Sequence, residues 1–179
     1  MMLSLMLALL GLAAVGLLLR SLRGQSAAIR SLEELEGQTR PVDLAAFRNL
    51  MDPEEQDYLR AHVSEADFRR LERQRLRAAR VYVRRAAHNA AILVRLGEAA
   101  RASADPEVAS AAQELVNSAL RLRLNALLAE VQLVIRMALP VGRPRAAGLL
   151  ESYAVLIERV TRLCRLQRPA YTARVAAAL

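Results

Sequence analysis

The chain contains no lysine and no tryptophan, and its 179 residues include one cysteine, two histidines and six aromatic residues. A disulfide scaffold needs at least two cysteines, so the lone Cys164 excludes that class of protein. A Walker loop needs a lysine, and the sequence also has no Gly-x-Ser-x-Gly and no Gly-x-Gly-x-x-Gly. The chain therefore lacks the common loops of nucleotide-binding proteins and serine hydrolases.

What the chain does contain is alanine, leucine and arginine. Hydrophobic residues make up 54% of it, and glycine and proline together number 13, which excludes disordered and collagen-like classes. All 26 basic residues are arginines, against 18 acids. The net charge is −3 over residues 1–72 and +11 over residues 73–179. This asymmetry indicates contact with an anionic surface, either lipid headgroups or nucleic acid.

The first 19 residues carry no charged side chain. An apolar run of about 18–20 residues is long enough to span a bilayer as a helix, so we expect a transmembrane anchor over residues 1–20. Arg20, Arg23 and Arg30 follow the run. By the positive-inside rule they place the N-terminus outside and the following domain on the cytoplasmic side of the inner (plasma) membrane.

A cleaved signal peptide is the competing interpretation of this run. It requires a basic segment before the apolar residues and a small-residue cleavage site soon after them. The sequence has no charged side chain before the run, and Arg20 and Arg23 stand where the cleavage site is expected. An uncleaved anchor is the better prediction.

The remaining residues predict an all-α fold, in which the transmembrane helix is followed by an antiparallel helical bundle of three long helices and two short ones. The predicted divisions are a juxtamembrane helix and linker over 21–42, short helices over 43–63, a three-helix bundle over 64–168 and a C-terminal tail over 169–179. Capping residues followed by proline or acids mark several helix starts. Within these divisions the predicted helices are 44–51, about nine residues from Pro53, 65–102, 106–139 and about 145–167.

The first long helix has an apolar stripe and an opposite arginine stripe at helical spacing. The apolar stripe comprises Phe68, Leu71, Ala78, Tyr82, Ala86, Asn89, Leu93, Leu96 and Ala100. The arginine stripe comprises Arg69, Arg73, Arg77, Arg80 and Arg84. We expect either a solvated face or a contact with anionic lipid headgroups there. Nucleic acid is disfavoured because aromatic residues for base stacking are nearly absent.

The second long helix is apolar nearly all round, which predicts a position in the middle of the bundle. A second membrane span is the alternative, but it must bury Arg121, Arg123, Glu130 and Arg136 at a cost of at least ~2.5 kcal/mol each. A narrow polar seam on this helix includes Arg121, Asn125, Gln132 and Arg136. The seam is either a solvent strip or a contact for the short helices, whose acids Asp52, Glu54, Glu55 and Asp57 complement it.

Two polar residues, Asn89 and Arg75, lie on the apolar stripe of the first long helix. In coiled-coil packing such residues fix register or oligomeric state, but they are as readily satisfied by local partners. His62 and His88 are 26 residues apart, show no metal-ligand spacing, and His88 is expected on the surface, half-exposed. Cys164 lies on the core face of its helix, where a thiol acts as a small apolar group.

These features predict no catalytic, metal or cofactor site, and hence a non-enzymatic protein. The expected function is a membrane-anchored helical module that binds a protein partner or scaffolds a complex on the cytoplasmic face. The alternative is a membrane-tethered module that binds anionic lipid headgroups through the arginine stripe. A homo-oligomer is left open by the sequence, and the partner's identity does not follow from it.

Overall fold

The structure, a computed structural model, describes residues 38–138 and 147–167 together with Pro169 and Leu179. The described residues form five helices and no strand, so the predicted all-α fold is confirmed. These helices are α1 (Leu44–Leu50), α2 (Pro53–His62), α3 (Glu65–Ala100), α4 (Pro106–Ala138) and α5 (Ala147–Gln167).

The predicted membrane span 1–20 and the juxtamembrane helix lie outside the described residues, as does the predicted tail apart from Pro169 and Leu179. Among the helices that the structure describes, none combines the length and the apolar character needed to cross a membrane.

The helix starts follow the predicted capping residues. The Asp43 carboxylate accepts a hydrogen bond from the Ala46 amide at 2.9 Å, and Asp52 accepts one from Glu54 at the same distance. The Ser64 hydroxyl accepts from the amide of Asp67 at 3.2 Å. Each bond satisfies an amide that has no partner within the helix. Local sequence therefore sets these boundaries to within one or two residues.

α4 lies between α3 and α5, as its apolar sequence predicts, while α3 and α5 scarcely touch. α3 and α4 run antiparallel, since Glu72 near the start of α3 meets Arg136 near the end of α4. α4 and α5 are antiparallel too, because Asn125 bonds Ser152 while Glu114, a few turns earlier in α4, bonds Arg159, further along α5. α1 and α2 pack on α3. The result is a bundle of three long helices with two short ones against the first.

The buried face of α3 is wider than the predicted stripe. Six members of the stripe are buried: Phe68, Ala86, Asn89, Leu93, Leu96 and Ala100. Leu71, Ala78 and Tyr82 are only half-buried. Six residues outside the predicted stripe are also buried: Leu76, Ala79, Val83, Ala90, Ile92 and Gly97. The wider buried face follows from two neighbours, because α3 packs against α4 on one side and against α1 on another.

Gly97 lies at a close approach of α3 to α4. A Cβ at this position would be 2.6 Å from Cγ2 of Val116 and 3.1 Å from the carbonyl oxygen of Ala112. We expect Gly97→Ala to destabilise the protein by about 1–2 kcal/mol, because overpacking costs more than the roughly 1 kcal/mol that alanine gains in a helix. Chemical denaturation of the full chain in detergent measures the difference.

Gly148, in the first turn of α5, is the matched control. Apart from its chain neighbours and the nearby backbone of its own helix, no heavy atom of the described residues lies within 4 Å of a Cβ built there. Gly148→Ala should leave stability unchanged or raise it by up to about 1 kcal/mol. Equal effects of the two substitutions would contradict the close approach at Gly97.

Candidate interaction surface

One side of α4 is open to solvent and aliphatic. Five of its large side chains are 40–55% exposed: Leu120, Leu124, Leu128, Val134 and Ile135. Leu127 and Val131 lie half-buried among them. We call these seven residues the α4 apolar face. α4 is in the middle of the bundle, but its two long neighbours leave this third side uncovered.

Each border of the α4 apolar face carries a glutamate of α4 held by two arginines of the adjacent helix. On the α3 side, Glu130 accepts from Nε of Arg80 at 2.6 Å and from Nε of Arg84 at 3.2 Å. On the α5 side, Glu114 accepts from Arg159 and, at 2.9 Å, from Arg162. Two guanidinium groups against one carboxylate leave an excess positive charge on each border.

The α3 border is the predicted arginine stripe, and its members differ in their surroundings. Arg69 pairs with Glu65 one turn earlier, at 3.0 Å, and both side chains are exposed. Arg80 and Arg84 hold Glu130. The other members, Arg73 and Arg77, are exposed. Together with Arg69 they line a shallow groove that also includes Glu65, Ala66, Arg70 and Gln74.

The four residues of the predicted polar seam do not form one site. Arg121 and Gln132 are exposed. Asn125 is half-buried and donates to the Ser152 hydroxyl of α5 at 2.6 Å, so it joins two long helices. Arg136 alone meets the short helices, in a small cavity. The seam is thus partly solvent strip and partly contact, which combines the two predicted alternatives.

Arg136 forms a buried ion pair with Glu72 across α3 and α4. Its Nη2 lies 2.7 Å from Oε1 of Glu72, and the two side chains are 6% and 13% exposed. Gln56 of α2 donates to the same carboxylate oxygen at 3.3 Å. The predicted acids of the short helices do not supply this contact, and Glu55 pairs with Arg75 at 2.9 Å instead. The ion pair thus joins three helices.

A cavity of about 20 Å³ adjoins this ion pair, and its apolar walls are Leu50, Met51, Leu59, Phe68 and Leu76. Nη1 of Arg136 is buried and has no hydrogen-bond partner among the described residues. A space of this size holds a single water molecule rather than a substrate. The cavity therefore belongs to the packing of the short helices on the bundle.

Asn89 fastens the chain before α1 to the bundle. Its side chain is completely buried. Its Oδ1 accepts from the Arg40 amide at 2.9 Å, and its Nδ2 donates to the Arg40 carbonyl at 2.7 Å and to Oη of Tyr153 at 2.8 Å. Tyr153 in turn donates to the carbonyl oxygen of Leu179 at 2.5 Å, and burial raises the pKa of Tyr153 to about 12. We call Arg40, Asn89 and Tyr153 the Asn89 clamp.

Arg75, the other polar residue of the apolar stripe, and the two histidines each have a partner nearby in the fold. Arg75 donates to the carbonyl oxygens of Asn49 and Leu50 at the end of α1. His88 is half-exposed, as predicted, and its Nε2 lies 2.9 Å from the carbonyl oxygen of Gln38. His62 stacks on Tyr58. Within the described ranges no three metal-ligating side chains come together, and the absence of a metal or cofactor in the protein stays a prediction.

Cys164 is fully buried in α5, and burial raises the pKa of its thiol to about 11. At pH 8 only about one thiol in a thousand is then ionised, and the thiolate is the reactive form. We expect a disulfide reagent such as DTNB to leave the native full chain unmodified for hours and to react fully once the chain is unfolded. Ala102→Cys, in the exposed turn after α3, is the control and should react at once. Rapid reaction of native Cys164 would contradict its role as a core residue.

The α4 apolar face is the feature that sequence reasoning missed. Its signal was present, because Leu120, Leu124, Leu127, Val131 and Val134 are spaced alternately by four and three residues, as in the seam of a coiled coil. The chain matches no protein-family model, and comparison with curated proteins and with solved structures gives no significant match. Its function has to be argued from its own residues.

Proposed function

We propose that the protein is a membrane-anchored, non-enzymatic helical module that acts as an interaction or scaffold subunit on the cytoplasmic face. The observation that carries the proposal is the uncharged apolar run 1–19 followed at once by Arg20 and Arg23. Such a run partitions into a bilayer, and the arginines after it favour the cytoplasmic side. No catalytic step is assigned to any residue.

The Asn89 clamp supports a scaffold role. It binds residue 40 to α3 through two hydrogen bonds on one side chain, and α3 is the longest helix described. A membrane anchor that ends near residue 20 is then followed by fewer than 20 residues before the chain is held on the bundle. The bundle is therefore kept close to the bilayer, which suits a subunit that gathers partners there.

The anchor is tested with a charged pair in the apolar run. Leu9→Arg with Leu10→Arg should move the full chain from the membrane pellet to the soluble fraction after a carbonate wash, since each arginine costs at least about 2.5 kcal/mol at the centre of a span. Leu9→Ile with Leu10→Ile is the apolar control and should stay in the pellet. Retention of the double-arginine variant would overturn the anchor.

The orientation is tested separately with Ala102→Cys. A maleimide that does not cross membranes should label this residue only after the cells are permeabilised, because the bundle is proposed to be cytoplasmic. The buried Cys164 contributes little background. Labelling of Ala102→Cys in intact cells would place the bundle on the opposite side.

A second candidate function is the binding of anionic lipid headgroups, which the exposed arginines of α3 favour. Arg70, Arg73 and Arg77 are exposed and line one shallow groove, whose only carboxylate, Glu65, is paired with Arg69. A guanidinium group donates two parallel hydrogen bonds to a phosphate, and each basic residue near an anionic leaflet contributes about 1 kcal/mol. The groove therefore suits the phosphate groups of lipids at the membrane that the anchor reaches.

Lipid binding is tested by native mass spectrometry of the full chain purified in detergent. Phosphatidylglycerol added to the detergent should bind the wild type and should be retained about 30-fold less by Arg73→Gln with Arg77→Gln, at about 1 kcal/mol for each arginine lost. Arg101→Gln with Arg165→Gln removes the same charge elsewhere and should bind like the wild type. Equal loss in both variants would show a nonspecific charge effect.

A further inference from the structure

We infer that the α4 apolar face rests on the membrane, with its aliphatic side chains at the boundary between headgroups and acyl chains and its arginine borders at the headgroups. The inference deepens the lipid-binding candidate and rests on the proposed anchor. In this arrangement a bilayer covers the side of α4 that the described residues leave exposed.

The composition of this face is the first argument. Its seven residues are all leucine, valine or isoleucine, and they extend from Leu120 to Ile135, about 22 Å along the helix at 1.5 Å per residue. Five of them are 40–55% exposed. Exposed apolar surface of this extent marks an interaction site rather than ordinary surface. An amphipathic helix of this kind lies in the plane of a membrane with its apolar side inward.

The charge around the α4 apolar face favours a membrane over a second copy of the chain as its partner. Both borders carry more arginine than glutamate, and the outer arginine of each cluster is well exposed, with Arg84 at 61% and Arg162 at 55%. Between Glu114 and Glu130 α4 has no acidic residue. A second copy of the chain would bring its own arginine borders against these, so like charges would face each other across that interface. An anionic bilayer instead offers phosphates to both borders at once.

The arrangement of the helices allows such contact. The predicted arginine stripe of α3 lies along one border, through the bonds of Arg80 and Arg84 to Glu130. Arg159 and Arg162 of α5 lie along the other through Glu114. Glu114 precedes the face by six residues and Glu130 lies beside its second half, so the two arginine clusters are separated along α4 as well as placed on opposite sides of it. Headgroup contacts at both clusters would hold α4 parallel to the membrane.

The test places a fluorescent label on the face in the intact protein. The full chain carrying Leu124→Cys is labelled with bimane and reconstituted into vesicles of phosphatidylcholine and phosphatidylglycerol, with a quencher attached to the upper acyl chain. Leu124 is 55% exposed on the face, and Val81, 50% exposed on α3, provides the matched control as Val81→Cys. We expect the label at 124 to be quenched at least several-fold more than the label at 81.

The arginine borders are tested in the same assay. Arg84→Gln with Arg162→Gln should lower the ratio of docked to undocked bundle about 30-fold, again at about 1 kcal/mol for each arginine. Arg101→Gln with Arg165→Gln should leave the quenching at 124 unchanged. If the label at 124 is quenched equally in vesicles of phosphatidylcholine alone, the arginines do not bind anionic headgroups in this contact. That result would overturn the inference.

Two other results would overturn this inference and leave the proposed membrane anchor unaffected. A label at 124 that is no better quenched than the label at 81, in protein that still pellets with the vesicles, would show that the face points away from the bilayer. A covalent dimer formed by a short bis-maleimide through Leu124→Cys, and not through Val81→Cys, would show that a second copy covers the face. Loss of pelleting with the vesicles would instead be a failure of the anchor itself.

Discussion

Glu72→Leu is expected to destabilise the full chain by about 3–5 kcal/mol, with a fall in Tm of about 10 °C. The substitution leaves the Arg136 guanidinium, whose side chain is 6% exposed, without its carboxylate. A buried charge that loses its partner carries the whole cost of its removal from water. Thermal unfolding in detergent, followed by circular dichroism, gives the difference.

The double variant Glu72→Leu with Arg136→Met separates this explanation from simple loss of packing. Replacing both members of a buried ion pair by apolar groups of similar volume is often neutral or stabilising. We therefore expect the double variant to recover most of the lost stability. A double variant that is as unstable as the single one would show that the charge of Arg136 is not the reason.

The exposed pair Glu65–Arg69 is the matched control within the same helix. Its side chains are 65% and 59% exposed at a separation of 3.0 Å. Water already solvates both charges, so Glu65→Leu should change stability by less than about 1 kcal/mol. The difference between the two variants then measures how burial changes the stability effect of losing the glutamate of an ion pair.

Asn89→Leu is expected to cost about 3 kcal/mol and to release the chain before α1 from the bundle. The variant keeps a side chain of similar size but removes three hydrogen bonds, two to Arg40 and one to Tyr153. Each bond contributes about 1 kcal/mol net, and a buried group left unpaired costs more. Hydrogen exchange of the Arg40 and Val42 amides should rise more than exchange in the middle of α4.

His88→Ala tests whether any contact to this segment would have the same effect. His88 reaches the Gln38 carbonyl from a half-exposed position, so its loss should change stability by about 0.5 kcal/mol or less. Tyr153→Phe should fall between the two, since it removes a hydroxyl that bonds Asn89 and Leu179. If Asn89→Leu were no worse than His88→Ala, the Asn89 clamp would not hold the segment.

The sequence predicts the helices well because the interactions that end a helix join residues close together in the chain. A capping side chain and the amide it accepts from are two or three residues apart, as with Asp52 and Glu54, so the sequence contains the whole interaction. The central position of α4 also follows from its own residues, because a helix with apolar side chains in most directions favours neighbours on more than one side.

Partners distant in sequence could not be predicted in the same way. Asn89 meets Arg40 and Tyr153, which are 49 and 64 residues away. Arg80 was placed on the exposed side of its helix, yet its long side chain bends to Glu130 on the neighbouring one. Helical periodicity gives the direction in which a residue points but not which helix lies there. For the same reason it did not show that one side of α4 stays uncovered.

The two-arginine clusters beside α4 also determine how this side of the protein responds to its surroundings. Arginine stays protonated at any pH a cell experiences, whereas histidine changes charge near neutrality. Neither cluster contains a histidine. The attraction of both borders for an anion is therefore governed by ionic strength and by the composition of the opposing surface.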